Sequence, residues 1–231
     1  VFGKVVNDTP DDATGTIIGE AMICSENISS NRMLALIGDG NPYTGANRVS
    51  EFYAQLGLAN SFIYTPFSED PFITPQAPQT PRQTTTDQLK AQPDPYNQLT
   101  VTDMGMLLRA IYQCATSEDG PLITQFNGEY TPIECRKLLD VMTYNRIDNF
   151  IEAGVPEGTR VAHKHGWIPD THGDAGIVFT PGGDFIFVTA LHNPGWMEFA
   201  ESRVVISENA REVYNYLNPD APMPEVRDLD V

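Results

Sequence analysis

Two short runs of this 231-residue chain carry side chains able to move protons and hold polar groups. Ser25-Glu26-Asn27 sets a hydroxyl and an amide two residues apart in a polar break between helical patterns, and Lys164-His165-Gly166 sets an ammonium and an imidazole at the end of a strand pattern. A hydroxyl and an amine within reach of one another can pass a proton, as acid–base and nucleophilic mechanisms require. A glycine on a strand leaves room for a ligand along the edge. Singly, neither run means much, because Ser-x-Asn strings arise by chance and strand lysines usually face solvent. The four histidines offer a rival chemistry. His163 and His165 alternate onto one strand face, His172 and Asp174 follow in the next turn, and His192 ends the third strand, a spacing that permits zinc. Most His-x-His pairs on strands hold no metal, so the first reading is preferred.

The elements that must position these residues are legible as periodic runs. Ile18 and Met22 stand at i, i+4 in a helix expected over Thr16 to Cys24, and Met33, Leu34 and Ile37 mark a second, from Asn31 to Ile37, ended by Gly38 and Gly40. A third runs from Arg48 to Leu56 and closes on Gly57. Seven of the eighteen prolines fall between Thr65 and Tyr96, where no regular structure is expected; the segment either rims a site or is a mobile excursion. Thr102 is read as the cap of a helix over Met104 to Cys114. Thr131-Pro132-Ile133-Glu134 has the form of a capping box, opening a helix with Cys135, Leu138, Leu139 and Met142 on its apolar face. The period then changes to two. Arg160 to Trp167, Asp174 to Thr180 and Asp184 to Leu191 read as strands, the last two joined through Pro181-Gly182-Gly183. A helix from Trp196 to Leu217 closes the chain, with Trp196, Phe199, Ala200, Val213 and Leu217 facing the core. The fold class is α+β, a helical layer on an antiparallel sheet. One domain is expected over 1–231, mainly helical to 150, then a meander and terminal helix from 151.

In this order and these settings, the two runs resemble motifs of the penicillin-recognising serine hydrolases, the class A β-lactamases and DD-peptidases, whose signature is Ser-x-x-Lys, Ser-Asp-Asn and Lys-Thr-Gly. Residues 21–34 around Ser25-Glu26-Asn27 are similar to the second motif, with Glu26 in place of Asp. Arg160 to Trp167, then Gly173-Asp174-Ala175-Gly176-Ile177-Val178, are similar to the third motif and its following strand. Acyl transfer needs a nucleophile, a base, a proton donor to the leaving group and donors at the oxyanion. The resemblance implies that Ser25 protonates the leaving nitrogen, Lys164 stabilises the alkoxide-like state of Ser25, Asn27 holds the substrate's amide, and the N–H of Trp167 serves the oxyanion beside an unobstructed Gly166.

Departures from the family pattern are specific. No Ser-x-x-Lys occurs in these 231 residues. The second motif falls within the first thirty, so the family's N-terminal strands and nucleophile helix have no counterpart here. His165 stands where a hydroxyl usually binds the substrate carboxylate. Glu69 is read as an exposed loop residue rather than a deacylating base. The resemblance therefore implies the C-terminal portion of a serine hydrolase acting on an amide, lactam or ester, with no cofactor, inactive alone, and dependent on an N-terminal segment bearing Ser-x-x-Lys. It also implies an extracytoplasmic place: periplasmic, cell-surface or secreted. The alternative is a non-catalytic module that keeps the cleft; the joint retention of Ser25, Asn27 and Lys164 favours the enzyme.

A formal charge of −17 and a pI near 4.4 leave no basic field for a phosphate backbone or an anionic bilayer, which argues against nucleic acid and membrane-surface partners. No apolar run approaches the roughly 18 residues of a membrane helix. Three cysteines allow one bridge. Cys114–Cys135 is preferred to two buried thiols and would imply an oxidising compartment, with Cys24 left as a small buried hydrophobe. The chain opens on Val1 without a signal pattern, so its start is read as a processed end or a cut within a longer protein. Its three-stranded sheet is expected to need that preceding segment, or a second copy, to cover an open edge.

Overall fold

The computed structural model describes residues 9–67, 96–126, 128–145 and 150–228; Glu69 and nearly all of the proline-rich run lie outside them. The chain divides into two compact units, one reaching to Leu139 and the other starting at Asp140.

In the first unit, caps rather than apolar periodicity decide where helices begin. Helix α1 (Asp12–Ile23) starts before Thr16 because the Asp11 carboxylate accepts the Thr14 N–H at 2.8 Å. After α2 (Asn27–Ile37), α3 (Pro42–Gln55) starts well before Arg48. Asn41 accepts the N–H groups of Tyr43 and Thr44, and Pro42 at the first turn has no N–H to leave unpaired. Two-residue strands β1 (Phe62–Ile63) and β2 (Asn97–Gln98), absent from the sequence reading, pair antiparallel. Helix α4 (Val101–Thr116) is capped by Thr100, which accepts the Asp103 N–H at 3.2 Å, and not by Thr102. A short α5 (Pro121–Thr124) precedes α6 (Pro132–Met142), whose capping box forms as expected, with Thr131 N–H on Glu134 at 2.8 Å and Glu134 N–H on the Thr131 hydroxyl at 3.2 Å.

These helices pack closely. A Cβ on Gly45 would fall 1.8 Å from the Leu34 carbonyl oxygen, so only glycine lets α3 approach α2 this way. Phe52, Phe126 and Tyr130 form a mutual aromatic cluster with centroids 5.3 to 5.7 Å apart. Cys114 and Cys135, both buried, are bridged across α4 and α6 with a Cα–Cα distance of 6.0 Å. Cys24 is free and exposed, contrary to expectation. The buried amide of Asn31 donates to the Phe67 carbonyl at 2.9 Å and accepts the Phe67 N–H at 2.7 Å, fixing the chain at residue 67.

The second unit is built as expected on one antiparallel meander, β3 (Arg160–Ile168), β4 (Thr171–Phe179) and β5 (Phe185–His192), in that spatial order. In register, Lys164 faces Ala175, His165 faces Asp174, and Asp174 faces Thr189. A 3-10 helix (Ile151–Gly154) packs against α7 (Phe199–Leu217) so closely that a Cβ on Gly154 would lie 2.2 Å from the Ser207 carbonyl oxygen. Ile151, Val155, Val161, Val178, Ala210 and Tyr214 form the core. The inner face of α7 is Ser202, Ile206, Ser207, Ala210 and Tyr214. Trp196 lies ahead of the helix and is 58% exposed, and Ala200 is exposed too, while Phe199, Val213 and Leu217 sit half-buried at the margin of that face. No helix among the described residues is long and apolar enough to cross a membrane.

The bridge closes a span of 21 residues. Reducing it, or replacing both cysteines by alanine, is expected to lower the stability of the helical unit by about 3 kcal/mol, read as a fall in the denaturation midpoint. An unchanged midpoint in reductant would remove the bridge from the stabilising interactions.

Candidate active site

The Ser25 corner is strained. Helix α1 ends at Cys24, and Ser25 takes φ +59°, a left-handed position usually given to glycine or asparagine. The turn is closed by the Glu20 carbonyl, which accepts the N–H groups of both Cys24 and Glu26, at 3.2 and 3.1 Å. The Glu20 side chain reaches across it, accepting the Ser29 hydroxyl at 2.5 Å with Arg32 4.0 Å away. Asn27 is the first residue of α2.

On β3, alternation decides what each side chain meets. His163 and His165 point to the α7 side, with 1% and 4% exposure, and Lys164 points to the other. Lys164 is half-buried and donates from Nζ to the His165 carbonyl at 2.8 Å. Burial pulls its pKa below that of an ordinary lysine, and the Asp174 carboxylate partly opposes the fall. His165 accepts from the Asn145 side-chain amide at 3.1 Å and lies against Phe150. Burial, reinforced by the Lys164 charge, brings its pKa down to about 4, so the ring is neutral at pH 7. Gly166 is exposed with ordinary backbone angles, and among the described residues a Cβ there would meet nothing within 4 Å. Nothing among those residues calls for glycine at that place. Trp167 is 56% exposed, with its ring edge-on to His172 and Phe199.

The structure thus gathers Lys164, His165, Gly166 and Trp167 on one strand of the second unit, and Ser25 with Asn27 at one corner of the first. His165 keeps that company in sequence but not in exposure: it is a buried strut beneath the strand. Each histidine commits Nδ1 to a different partner: His163 to Asp174, His165 to Asn145, His172 to Ser202 at 2.6 Å and His192 to Thr171 at 3.0 Å. Among the described residues, no three metal-binding side chains converge as the zinc reading would need. Glu20 and Asn145 escaped the sequence reading because nothing local marks them.

Ser25→Gly is expected to be more stable than Ser25→Ala by roughly 0.5 to 1 kcal/mol, since both lose the hydroxyl and only glycine relaxes the left-handed backbone. Equal melting temperatures would show that the corner is unstrained. For His165 the folded pKa lies below the ordinary 6.5. Its contribution to stability is therefore present above pH 6.5 and lost as pH falls towards 4, and His165→Gln should flatten that part of the stability–pH curve.

A model of the beta-lactamase enzyme family matches residues 13–217, from the first turn of α1 to the last residue of α7. The fold is that of PBP-A (TM-score 0.64, 21% identity, 89% of this chain and 62% of that one), a point mutant of which is solved as an acyl-enzyme complex with penicillin G (0.63, 21%, 89% and 62%). It is also that of a β-lactamase from Sphaerobacter thermophilus (0.62, 18%, 90% and 64%). The chain spans less than two thirds of the length of each of these structures. No curated protein matches it. The α+β architecture is therefore the β-lactamase/transpeptidase-like one, and with a family model running through every helix and strand described, the chain belongs to the beta-lactamase enzyme family.

Proposed function

We propose that the chain is the C-terminal portion of a serine hydrolase performing acyl transfer on an amide, lactam or ester. Ser25 and Lys164 are its proton-relay pair, and the nucleophilic serine comes from an N-terminal segment carrying Ser-x-x-Lys. The observation that carries the reading is Lys164: half-buried, lowered in pKa by that burial, and set beside a glycine over which the described residues leave open space. In the proposed reaction the Ser25 hydroxyl delivers a proton to the leaving nitrogen. The Lys164 ammonium stabilises the alkoxide-like state that this leaves, and recovers the relay by supplying a proton in turn. Asn27 holds the substrate's amide. A substrate lying along β3 passes over Gly166 and meets the Trp167 N–H at the oxyanion, while neutral His165 supports the strand from behind.

Two features support an absent segment. The first unit has an open, mainly apolar pocket of about 330 Å³, lined by Met22, Met33, Ile37, Phe52, Ile111 and Phe126, that a further segment could cover. More than a third of each matched structure named above also has no counterpart in this chain. The Cys114–Cys135 bridge supports an extracytoplasmic setting.

Fluorescent penicillin is expected to label nothing in residues 1–231 alone, and to label a longer gene product that contains Ser-x-x-Lys. In that product Lys164→Ala and Ser25→Ala should each slow labelling at least about a hundredfold. Gly166→Ala should slow it with little change in melting temperature. Stoichiometric labelling within 1–231, or full labelling of Lys164→Ala, would overturn the assignment.

A further inference from the structure

The proposed chemistry leaves unused a second group of ionisable side chains on the opposite face of the same strands. His163 and Asp174 are 1% and 2% exposed. The ring Nδ1 lies 3.0 and 3.1 Å from the two carboxylate oxygens, and the same carboxylate accepts the Ile151 N–H at 3.2 Å and the Ala175 N–H at 2.9 Å. Nε2 of His163 is buried with no hydrogen-bond partner among the described residues, so Asp174 alone orients the ring by hydrogen bonding. Register places Asp174 opposite His165 and its neighbour Ala175 opposite Lys164. The carboxylate is therefore one residue out of step with the lysine and on the other side of the sheet.

We propose that Asp174 is the buried counter-charge of Lys164, acting through the sheet from its opposite face, with His163 as the positioning residue that holds its carboxylate. The proposal rests on the reading of Lys164 given above, which requires an ammonium. Burial alone works against that charge, and Asp174 supplies the opposing attraction. Burial likewise draws His163 down, but the carboxylate more than compensates and leaves its pKa above the ordinary value. Other groups also bear on the assembly. Glu152 lies on the 3-10 helix, His165 on β3, uncharged Thr189 on β5, and the inner face of α7 offers no charged side chain. Arg227 is engaged by the carbonyls of Glu152 and Val155. A charge inside the sheet is shielded from salt and from bound substrate alike, so it holds the ammonium without competing for the hydroxyl in front of it.

The test needs neither substrate nor turnover, so it can fail independently of the acylation assay. The chain has four lysines, Lys4, Lys90, Lys137 and Lys164, so the Lys164 signal of lysine-labelled protein is assigned by one Lys164→Arg spectrum. Asp174→Asn keeps the shape and removes the charge; it is expected to lower the Lys164 pKa by roughly one unit. His163→Gln keeps a donor for the carboxylate and should leave Lys164 within a few tenths of a unit. It should also remove a stability contribution that in the parent is present below the ordinary histidine pKa and lost as pH rises through the raised folded value. In the unaltered protein the Lys164 titration should not move between low and high salt, a result that stands even if Asp174→Asn fails to fold. A folded Asp174→Asn with an unshifted Lys164, or a Lys164 pKa that follows ionic strength, would overturn the proposal.

Discussion

One carboxylate joins three pieces of main chain in the second unit. Asp174 takes the imidazole of β3, its own neighbour's N–H on β4 and the first N–H of the 3-10 helix. Gly154 then lays that helix directly on α7. An unpartnered carboxylate at this depth would cost several kcal/mol, so strand, turn and helix are obliged to close together around it. Everything on the outer face of β3 inherits its place from this closure. A strand with His163 and His165 fixed inward has no choice but to turn Lys164 and Gly166 outward.

The histidines show why polar rings were placed where leucines would fill the same volume. Phe150 lies beside both His165 and His172, and Phe199 beside His172, so each ring packs as an aromatic while one nitrogen is tied to Asn145 or Ser202. A leucine would pack, but it would not fix rotation about the strand. The result is a rigid underside to the lysine strand, with each ring held in one orientation.

The meander was legible because its signals are local: alternation over nine residues and a Pro-Gly-Gly turn determine both the strands and their pairing. Helix starts were less so. Asp11 and Asn41 open α1 and α3 ahead of any apolar repeat, although the Asn41-Pro42 pair was there to be read as a cap followed by a first-turn proline. Trp196 misled because an aromatic in phase with a helix looks like core, whereas its indole N–H is bonded to Glu198 outside the helix. The site residues could be named from type and spacing. Their state could not: nothing in Ser25 announces a positive φ, and the burial that neutralises His165 depends on Asn145 and Phe150, which no local pattern marks.

The two-residue pairing of β1 with β2 is slight, yet it is fastened twice more. Asn97 accepts the N–H groups of Tyr64 and Thr65 and returns a bond to the Thr65 carbonyl, while Asn31 grips Phe67 from the helix beneath. Fixing the two ends of a chain segment so close together separates its history from that of its surroundings. Doubling the length between such ends adds only about 0.6 kcal/mol of closure entropy. The clasp at residues 67 and 96 is therefore insensitive to the number of residues between them, so a change of length there would leave α2 and the β1–β2 pairing in place.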